Sequence, residues 1–311
     1  MCSVQNQLSV YVKKLESSKM ESISNSSLMH PINPKSPVTI PLTNRLSVRL
    51  YEDSRPHCLE TAALQKGLVL MIDNKELIEE GLGFGTPVVK YQDKTYFSGS
   101  SSLSIQKTPC SYRLTKAYVF DLISKKLWKD HPIDDRLYSK WRKKFARLYL
   151  GHKELLPLFN RLMELRDTAK IRTEFMRVNP RGIVKVNYEI KPREVEISVD
   201  FSELTINGCE ELLVLNEQGS SFFETYSDSS GLKLEGGRIG GWAPVNAKRA
   251  SLLWRDQRVD FTIQKISGAT LFRGWERTKN RFSWAGLSYS MSSDHKSFDY
   301  TIDLDLKPIK N

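Results

Sequence analysis

Runs in which every second residue is apolar recur along this chain, and they limit what it can fold into. Residues 184–190, 195–201 and 259–263 alternate apolar with polar side chains. Successive side chains of a strand point to opposite faces of a sheet, so a period of two predicts strands with one buried and one solvated face. The sequence therefore predicts half-buried strands over much of its C-terminal part.

The same pattern starts earlier, at Leu46, and two hairpins follow it. Residues 68–72 and 76–78 flank Asp73-Asn74-Lys75, and residues 88–91 and 95–97 flank Gln92-Asp93-Lys94. Asp and Asn tolerate the left-handed conformation that tight turns need. Further strands are expected at residues 102–106, 117–123, 212–215, 250–254, 270–274, 281–291 and 298–304. Many short strands joined by turns favour an antiparallel sandwich or barrel, and the missing βαβ alternation argues against a parallel doubly wound sheet.

The middle of the chain has a helical period instead. The apolar residues that recur there every three to four positions are Leu137, Trp141, Phe145 and Leu148. A second apolar stripe covers residues 158–169. Apolar residues at this spacing fall on one face of a helix. Residues 132–180 are therefore expected to form a helical hairpin that packs on the β layer.

Positive charge is concentrated in the same segment. Residues 134–182 hold 13 Lys and Arg against 6 Asp and Glu, a net charge of +7 out of +11 for the chain. Four of these cations fall on one helical stripe, namely Arg136, Lys140, Lys143 and Arg147. Such a stripe can bind a polyanion, such as RNA or an anionic membrane, or an acidic protein. It can equally be the solvated face of a helix that packs on a sheet.

Composition divides the chain into four regions. Residues 1–44 are polar and rich in serine and proline, so they are expected to form a disordered tail. An N-terminal β module (45–131), the basic helical segment (132–180) and a C-terminal β module (181–311) follow, and the two modules can join in one continuous sandwich. The predicted fold is mainly β, an antiparallel two-sheet sandwich or two β modules, with a central basic helical hairpin insertion.

The lack of a recognisable targeting signal and the cysteine usage predict a cytoplasmic protein. The longest apolar stretch, residues 67–72, is far shorter than the roughly 20 residues that span a bilayer, so no transmembrane segment is expected. The N-terminus lacks the charged and apolar regions of a secretory signal. Four distant cysteines without a CxxC pair predict reduced thiols. Neither a metal site nor a cofactor is expected, and the oligomeric state stays open.

A glycine-rich stretch at residues 235–242, Glu-Gly-Gly-Arg-Ile-Gly-Gly-Trp, is the clearest candidate for a binding site. Its glycines allow the backbone to approach a ligand or another strand closely. Tryptophans within and after it offer the flat apolar faces that sugar rings need, beside charged hydrogen-bonding groups. The predicted ligand-binding residues are Arg238, Trp242, Arg273, Trp275, Glu276 and Trp284. Large aromatic residues in strands are mostly core, so these tryptophans can belong to the core instead.

Three functions are compatible with these features. The leading hypothesis is binding, with or without processing, of a carbohydrate or similar polar ring-containing ligand in a groove lined by Trp and Arg. The alternative is a non-enzymatic adaptor whose basic helices bind an acidic partner. The third is a β cavity for an apolar ligand, lined by the tryptophans. No G-x-S-x-G, HExxH or Rossmann motif identifies a reaction, so whether the protein is an enzyme stays open.

Overall fold

A computed structural model of the chain describes residues 37–52, 64–91, 94–107, 111–128, 131–132, 171–205, 209–278 and 282–306. These residues form antiparallel β-sheets and one short 3₁₀ helix, Gly236–Ile239. The first ten strands are β1 (Val38–Pro41), β2 (Leu46–Leu50), β3 (Val69–Ile72), β4 (Lys75–Glu76), β5 (Gly83–Tyr91), β6 (Lys94–Lys107), β7 (Tyr112–Trp128), β8 (His131–Pro132), β9 (Ile171–Arg177) and β10 (Ile183–Lys191). The others are β11 (Glu194–Asp200), β12 (Glu211–Gln218), β13 (Thr225–Asp228), β14 (Lys233–Glu235), β15 (Ala243–Pro244), β16 (Arg249–Trp254), β17 (Val259–Gln264), β18 (Ala269–Thr278), β19 (Phe282–Met291) and β20 (Ser297–Leu306). The prediction of a mainly β fold is confirmed.

Both predicted hairpins are confirmed. Asp73 and Asn74 join β3 to β4 with φ angles of 47° and 65°, the left-handed conformation that a tight turn between strands requires. The antiparallel pairing of β5 with β6 extends to Tyr91, which lies opposite Lys94. The sequence pattern therefore located the first turn correctly, whereas residues 92 and 93 of the second turn lie outside the described residues.

Strands β1 to β4 form a four-stranded sheet, and the other sixteen form one larger sheet. The order in the larger sheet is β14-β13-β16-β17-β20-β11-β10-β7-β6-β5-β12-β19-β18-β15, with β8 and β9 paired to β7. β7 pairs with β10 and β5 pairs with β12, so strands from both predicted β modules lie in the same sheet.

The core lies between strands that are not neighbours in this order. Phe84 on β5 contacts Phe261 on β17, with ring centroids 5.0 Å apart. Tyr289 on β19 contacts Tyr300 on β20 at the same distance. One part of the large sheet therefore packs against another, an arrangement consistent with a β-sandwich. The four-stranded sheet contributes to the same core through residues such as Val48.

Two segments differ from the sequence-based expectation. Among the described residues there is no α-helix, and Ile171–Arg177, the end of the segment predicted to be helical, is the strand β9. Its β-branched and aromatic residues fit the extended backbone, and it pairs along β7. Val38–Pro41, in the predicted tail, is the strand β1, which pairs with β2 and buries Ile40.

Other predictions fall on residues outside the described ranges. These include residues 1–36 of the expected tail and the proposed polyanion-binding residues Arg136, Lys140, Lys143 and Arg147. The basic stripe therefore stays a prediction. In the part of the chain that the structure describes, no helix has the length and apolar character needed to cross a membrane.

Residues 236–242 join the two ends of the large sheet. They connect β14, at one end of the strand order, to β15, at the other. The amide of Gly236 donates a hydrogen bond to the carbonyl of Glu224 (2.7 Å), and the amide of Trp275 donates to the carbonyl of Gly240 (2.8 Å). The glycine-rich stretch singled out in the sequence thus lies where the two ends of the sheet meet.

Candidate functional site

Trp242 is a large aromatic residue held at the surface of this segment. Its side chain stacks on Trp284, with ring centroids 4.9 Å apart and an interplanar angle of 25°. Trp242 is 37% exposed, whereas Trp284 is 8% exposed. Trp284 therefore covers one side of the Trp242 indole, and a little over a third of the surface of Trp242 stays open to solvent.

The backbone of Trp242 is strained. Its φ is 53°, in the left-handed region that bulky residues rarely occupy. This conformation costs roughly 1–2 kcal/mol for a residue with a Cβ atom. The pairing of Ala243 with Arg273 begins directly after it and holds the chain in place. Strain of this kind often occurs at ligand-binding sites, where the rest of the structure offsets it.

Two glycines paired across β18 and β19 make room for the site. Gly274 lies opposite Gly286. A Cβ atom on Gly274 would lie 2.5 Å from the ring of Trp284, and one on Gly286 would lie 2.9 Å from Cγ of Glu217. The missing side chains therefore let Trp284 and Glu217 lie against the sheet. Sequence reasoning missed this pair because each glycine looks like an isolated glycine in a strand.

Arg273 ties the glycine-rich segment to β18. Its Nε donates a hydrogen bond to the carbonyl of Ile239 (3.1 Å), and its Nη1 donates to the carbonyl of Pro244 (3.3 Å). The guanidinium also lies over the ring of Tyr226, 5.1 Å from its centroid. Arg273 thus supports the glycine-rich segment, because its guanidinium donates hydrogen bonds to two backbone carbonyls of the chain around it.

Trp275 also supports the segment. Its ring lies close to Gly236, and its side chain packs against the main core. Its indole Nε1 is buried and has no hydrogen-bond partner among the described residues. Arg273 and Trp275 lie on the opposite face of β18 from Gly274, so they do not share a face with Trp284.

Two carboxyl groups share the sheet face of Trp284. Glu276 lies directly opposite Trp284 on β18, and Glu217 lies directly opposite Gly286 on β12. Glu217 is 6% exposed, and the amide of Leu82 donates a hydrogen bond to its Oε2 (3.1 Å). Burial raises the pKa of Glu217 to about 7, although the Leu82 amide and Lys66 act in the opposite direction. Glu217 is therefore partly protonated at neutral pH.

Sequence reasoning selected Glu276 and missed Glu217. The polar run Asn216-Glu217-Gln218 ends β12 after four consecutive apolar residues, and all three side chains are buried. Consecutive buried polar residues at a strand end are unusual, because each of them needs a hydrogen-bond partner. This polar run is the feature of the sequence from which Glu217 could have been identified.

Arg238 is exposed on the 3₁₀ helix, four residues before Trp242. Its guanidinium forms no ion pair or hydrogen bond with any residue that the structure describes. Its five N–H donors are available to a ligand. Within the described ranges, no three His, Cys, Asp or Glu side chains come together in a way that could hold a metal ion.

Comparisons with known proteins place this chain in no family. No family model and no curated protein matches it. An α-N-acetylgalactosaminidase from Bifidobacterium bifidum, NagBb in complex with GalNAc, is similar with a TM-score of 0.46 and 6% identity, covering 86% of this chain and 36% of that chain. The Slr1438 protein from Synechocystis sp. PCC 6803 is similar with a TM-score of 0.37 and 9% identity, covering 92% of this chain and all of that one. At these TM-scores neither structure indicates a function.

Proposed function

We propose that this protein binds a carbohydrate, with the exposed part of Trp242 stacking on a sugar ring. The observation that carries the proposal is the pair formed by Trp242 and Trp284. An indole that is 37% exposed and stacked on a buried second ring presents a flat, apolar and rigid surface. A sugar ring offers a matching apolar face, while its hydroxyl groups point to polar side chains.

The rigidity of the segment supports this function. The two hydrogen bonds from Arg273, the bond between Trp275 and Gly240, and the pairing of Ala243 all hold Trp242 before any ligand arrives. A surface fixed in its binding conformation loses little conformational entropy on binding. These contacts therefore preorganise Trp242 for binding.

Charged side chains provide the polar part of the proposed site. Arg238 offers donors only, and Glu276 places a carboxyl group, which carries only acceptors, on the face of Trp284 with its Oε1 buried. Sugar hydroxyl groups both donate and accept hydrogen bonds, so donor and acceptor side chains together match them. If the bound sugar is also processed, Glu217 and Glu276 would supply the acid and base groups on this face.

The test begins with the full chain on an array of neutral and acidic oligosaccharides. For the sugar that binds, Trp242→Ala is expected to weaken binding at least about tenfold, because stacking contributes about 1 kcal/mol or more beyond the area buried. Trp242→Phe should keep part of the affinity. Leu232→Ala is the matched control, since Leu232 is another exposed apolar side chain (40%) and lies beside β14.

The same variants separate a binding residue from a core residue. Trp242→Ala is expected to lower the free energy of unfolding by about 1–2 kcal/mol, below the roughly 3–5 kcal/mol typical of a fully buried tryptophan. Urea unfolding measures this difference. Unchanged sugar binding by Trp242→Ala, or a loss of stability in the higher range, would contradict the proposal.

A further inference from the structure

A recess of about 560 Å³ lies on the outer face of β7, β10, β11 and β20. Its volume is in the range of small-molecule sites. The residues that line it are Arg113, Asn187, Glu189, Glu196, Ile197, Ser198, Asp299, Tyr300 and Thr301. None of them belongs to the strands that hold Trp242, so the recess is separate from the proposed carbohydrate site.

One charge pair in the recess is already neutralised. Nη2 of Arg113 lies 2.9 Å from Oε2 of Glu189. The hydrogen bond from Arg113 lowers the pKa of Glu189, so this carboxyl group is ionised at neutral pH. The pair contributes no net charge to the recess.

The other carboxylates leave an excess of negative charge. Lys191 forms ion pairs with both Glu194 (2.9 Å) and Glu196, so one ammonium is shared by two carboxylates. Asp299 forms no ion pair with any described residue. Together with the neutral pair of Arg113 and Glu189, these groups leave two negative charges without a cation.

Hydrogen-bonding groups line the floor between these charges. In the register of the sheet, Ser198 lies opposite both Asn187 and Asp299, and Glu196 lies opposite Thr301. The hydroxyl groups of Ser198 and Thr301 make no hydrogen bond to the described part of the chain. Glu196 and Asp299 are diagonal neighbours on one face, at a typical separation of about 7–8 Å.

We infer that this recess binds a small organic cation with at least two amino groups, such as an aliphatic diamine or a polyamine. Carboxylates only accept hydrogen bonds, and an ammonium group provides three donors together with the missing positive charge. An anion would be repelled by the two uncompensated carboxylates. A sugar would find no exposed aromatic surface, because the ring of Tyr300 faces the core and is 5% exposed.

Calorimetry with the full chain tests this inference. Putrescine and spermidine are expected to bind at low ionic strength, and binding should weaken as salt is added, because salt screens exposed charges. The diol 1,4-butanediol has the same carbon chain as putrescine without its charges, and it is expected not to bind. Asp299→Asn should weaken diamine binding by about tenfold, because a hydrogen bond to a charged group is lost. Ser198→Ala should weaken it less.

Asp305→Asn is the matched control. Asp305 lies on the same strand and the same face as Asp299 but does not line the recess. Asp299 is exposed, so its substitution is expected to leave the fold intact, which circular dichroism and thermal unfolding verify. Three results would overturn the inference: no binding of either amine, equal losses in Asp299→Asn and Asp305→Asn, or equal binding of the diol.

Discussion

At the scale of single residues, Glu217 has an unusual balance of burial and compensation. Its carboxyl group is almost completely removed from water, and the Leu82 amide and Lys66 offset only part of that cost. Its pKa is therefore raised from 4.5 to about 7 in the folded protein. A raised carboxyl pKa means that the protonated form is favoured by folding. The contribution of Glu217 to the free energy of unfolding is therefore fully present below a pH of about 4.5, and it is lost as the pH rises through about 7.

Glu217→Gln is expected to remove this dependence. The amide has the shape of the protonated carboxyl group and can still accept the hydrogen bond from Leu82. The interval between 4.5 and about 7 corresponds to roughly 3 kcal/mol, so the variant should gain up to that much relative to the native protein at pH 8 and little at pH 4. Urea unfolding at both pH values measures the gain. Glu224→Gln, at an exposed carboxyl group, is the control, and identical pH profiles for all three proteins would contradict the assignment.

Sequence alone could predict part of the candidate site at this scale. The clustering of glycines with Arg238 and Trp242 pointed to the segment that carries the exposed indole. The roles of Trp242 and Trp284 could not be distinguished, because exposure depends on Gly274, which makes room for one ring beneath the other. The contact between the Trp284 ring and Gly274 cannot be predicted from composition or residue spacing.

At the scale of elements, alternation predicts best the strands that have one solvated face. β10 and β11 alternate buried and partly exposed residues along their whole length, and the sequence pattern located both. β5 and β12 are largely buried on both faces, since one face meets the main core and the other meets a smaller cluster around Leu82 and Leu215. A strand covered on both sides has no clean period of two, so its polar residues were not recognised as buried.

The segment 236–242 is a second element whose behaviour depends on a few contacts. Arg273→Lys keeps the positive charge but loses the two-pronged hydrogen bonding to Ile239 and Pro244. The loss is expected to cost about 1–2 kcal/mol and to speed hydrogen exchange at the amides of Gly236 and Trp275. Hydrogen exchange measured by NMR checks this expectation, and Arg277→Lys, at an exposed arginine of the same strand, is the control. Unchanged exchange at both amides would show that Arg273 does not hold the segment.

At the scale of the whole molecule, one core connects the two sheets. Leu46, Val48 and Leu70 of the small sheet belong to the same buried cluster as Phe261 and Tyr289 of the large sheet. Hydrogen bonds also link them: the side chain of Gln218, for example, accepts from the amide of Leu70 (3.2 Å) and donates to the carbonyl of Leu68 (3.2 Å). The small sheet should therefore unfold together with the large one.

Two truncations test this connection. A chain that starts at residue 37 keeps β1, whereas one that starts at Leu46 lacks β1 and its buried Ile40. The second is expected to be less stable than the first by about 2–4 kcal/mol, from lost apolar burial and strand pairing, and to unfold in a single transition. Calorimetry measures both. Equal stability of the two chains would show that β1 adds nothing to the core, and two separate transitions in the longer one would show that the small sheet is independent.

The short strands at the two ends of the large sheet also affect how this protein behaves at high concentration. Unpaired edges of a sheet can recruit a strand from another molecule and begin aggregation. Here the terminal strands are Lys233–Glu235 and Ala243–Pro244, three and two residues long. Both edges carry features that discourage added strands, because Lys233 and Glu235 are charged and Pro244 has no N–H to donate. The two strands that flank the segment presenting Trp242 therefore offer a second copy little backbone of their own to extend.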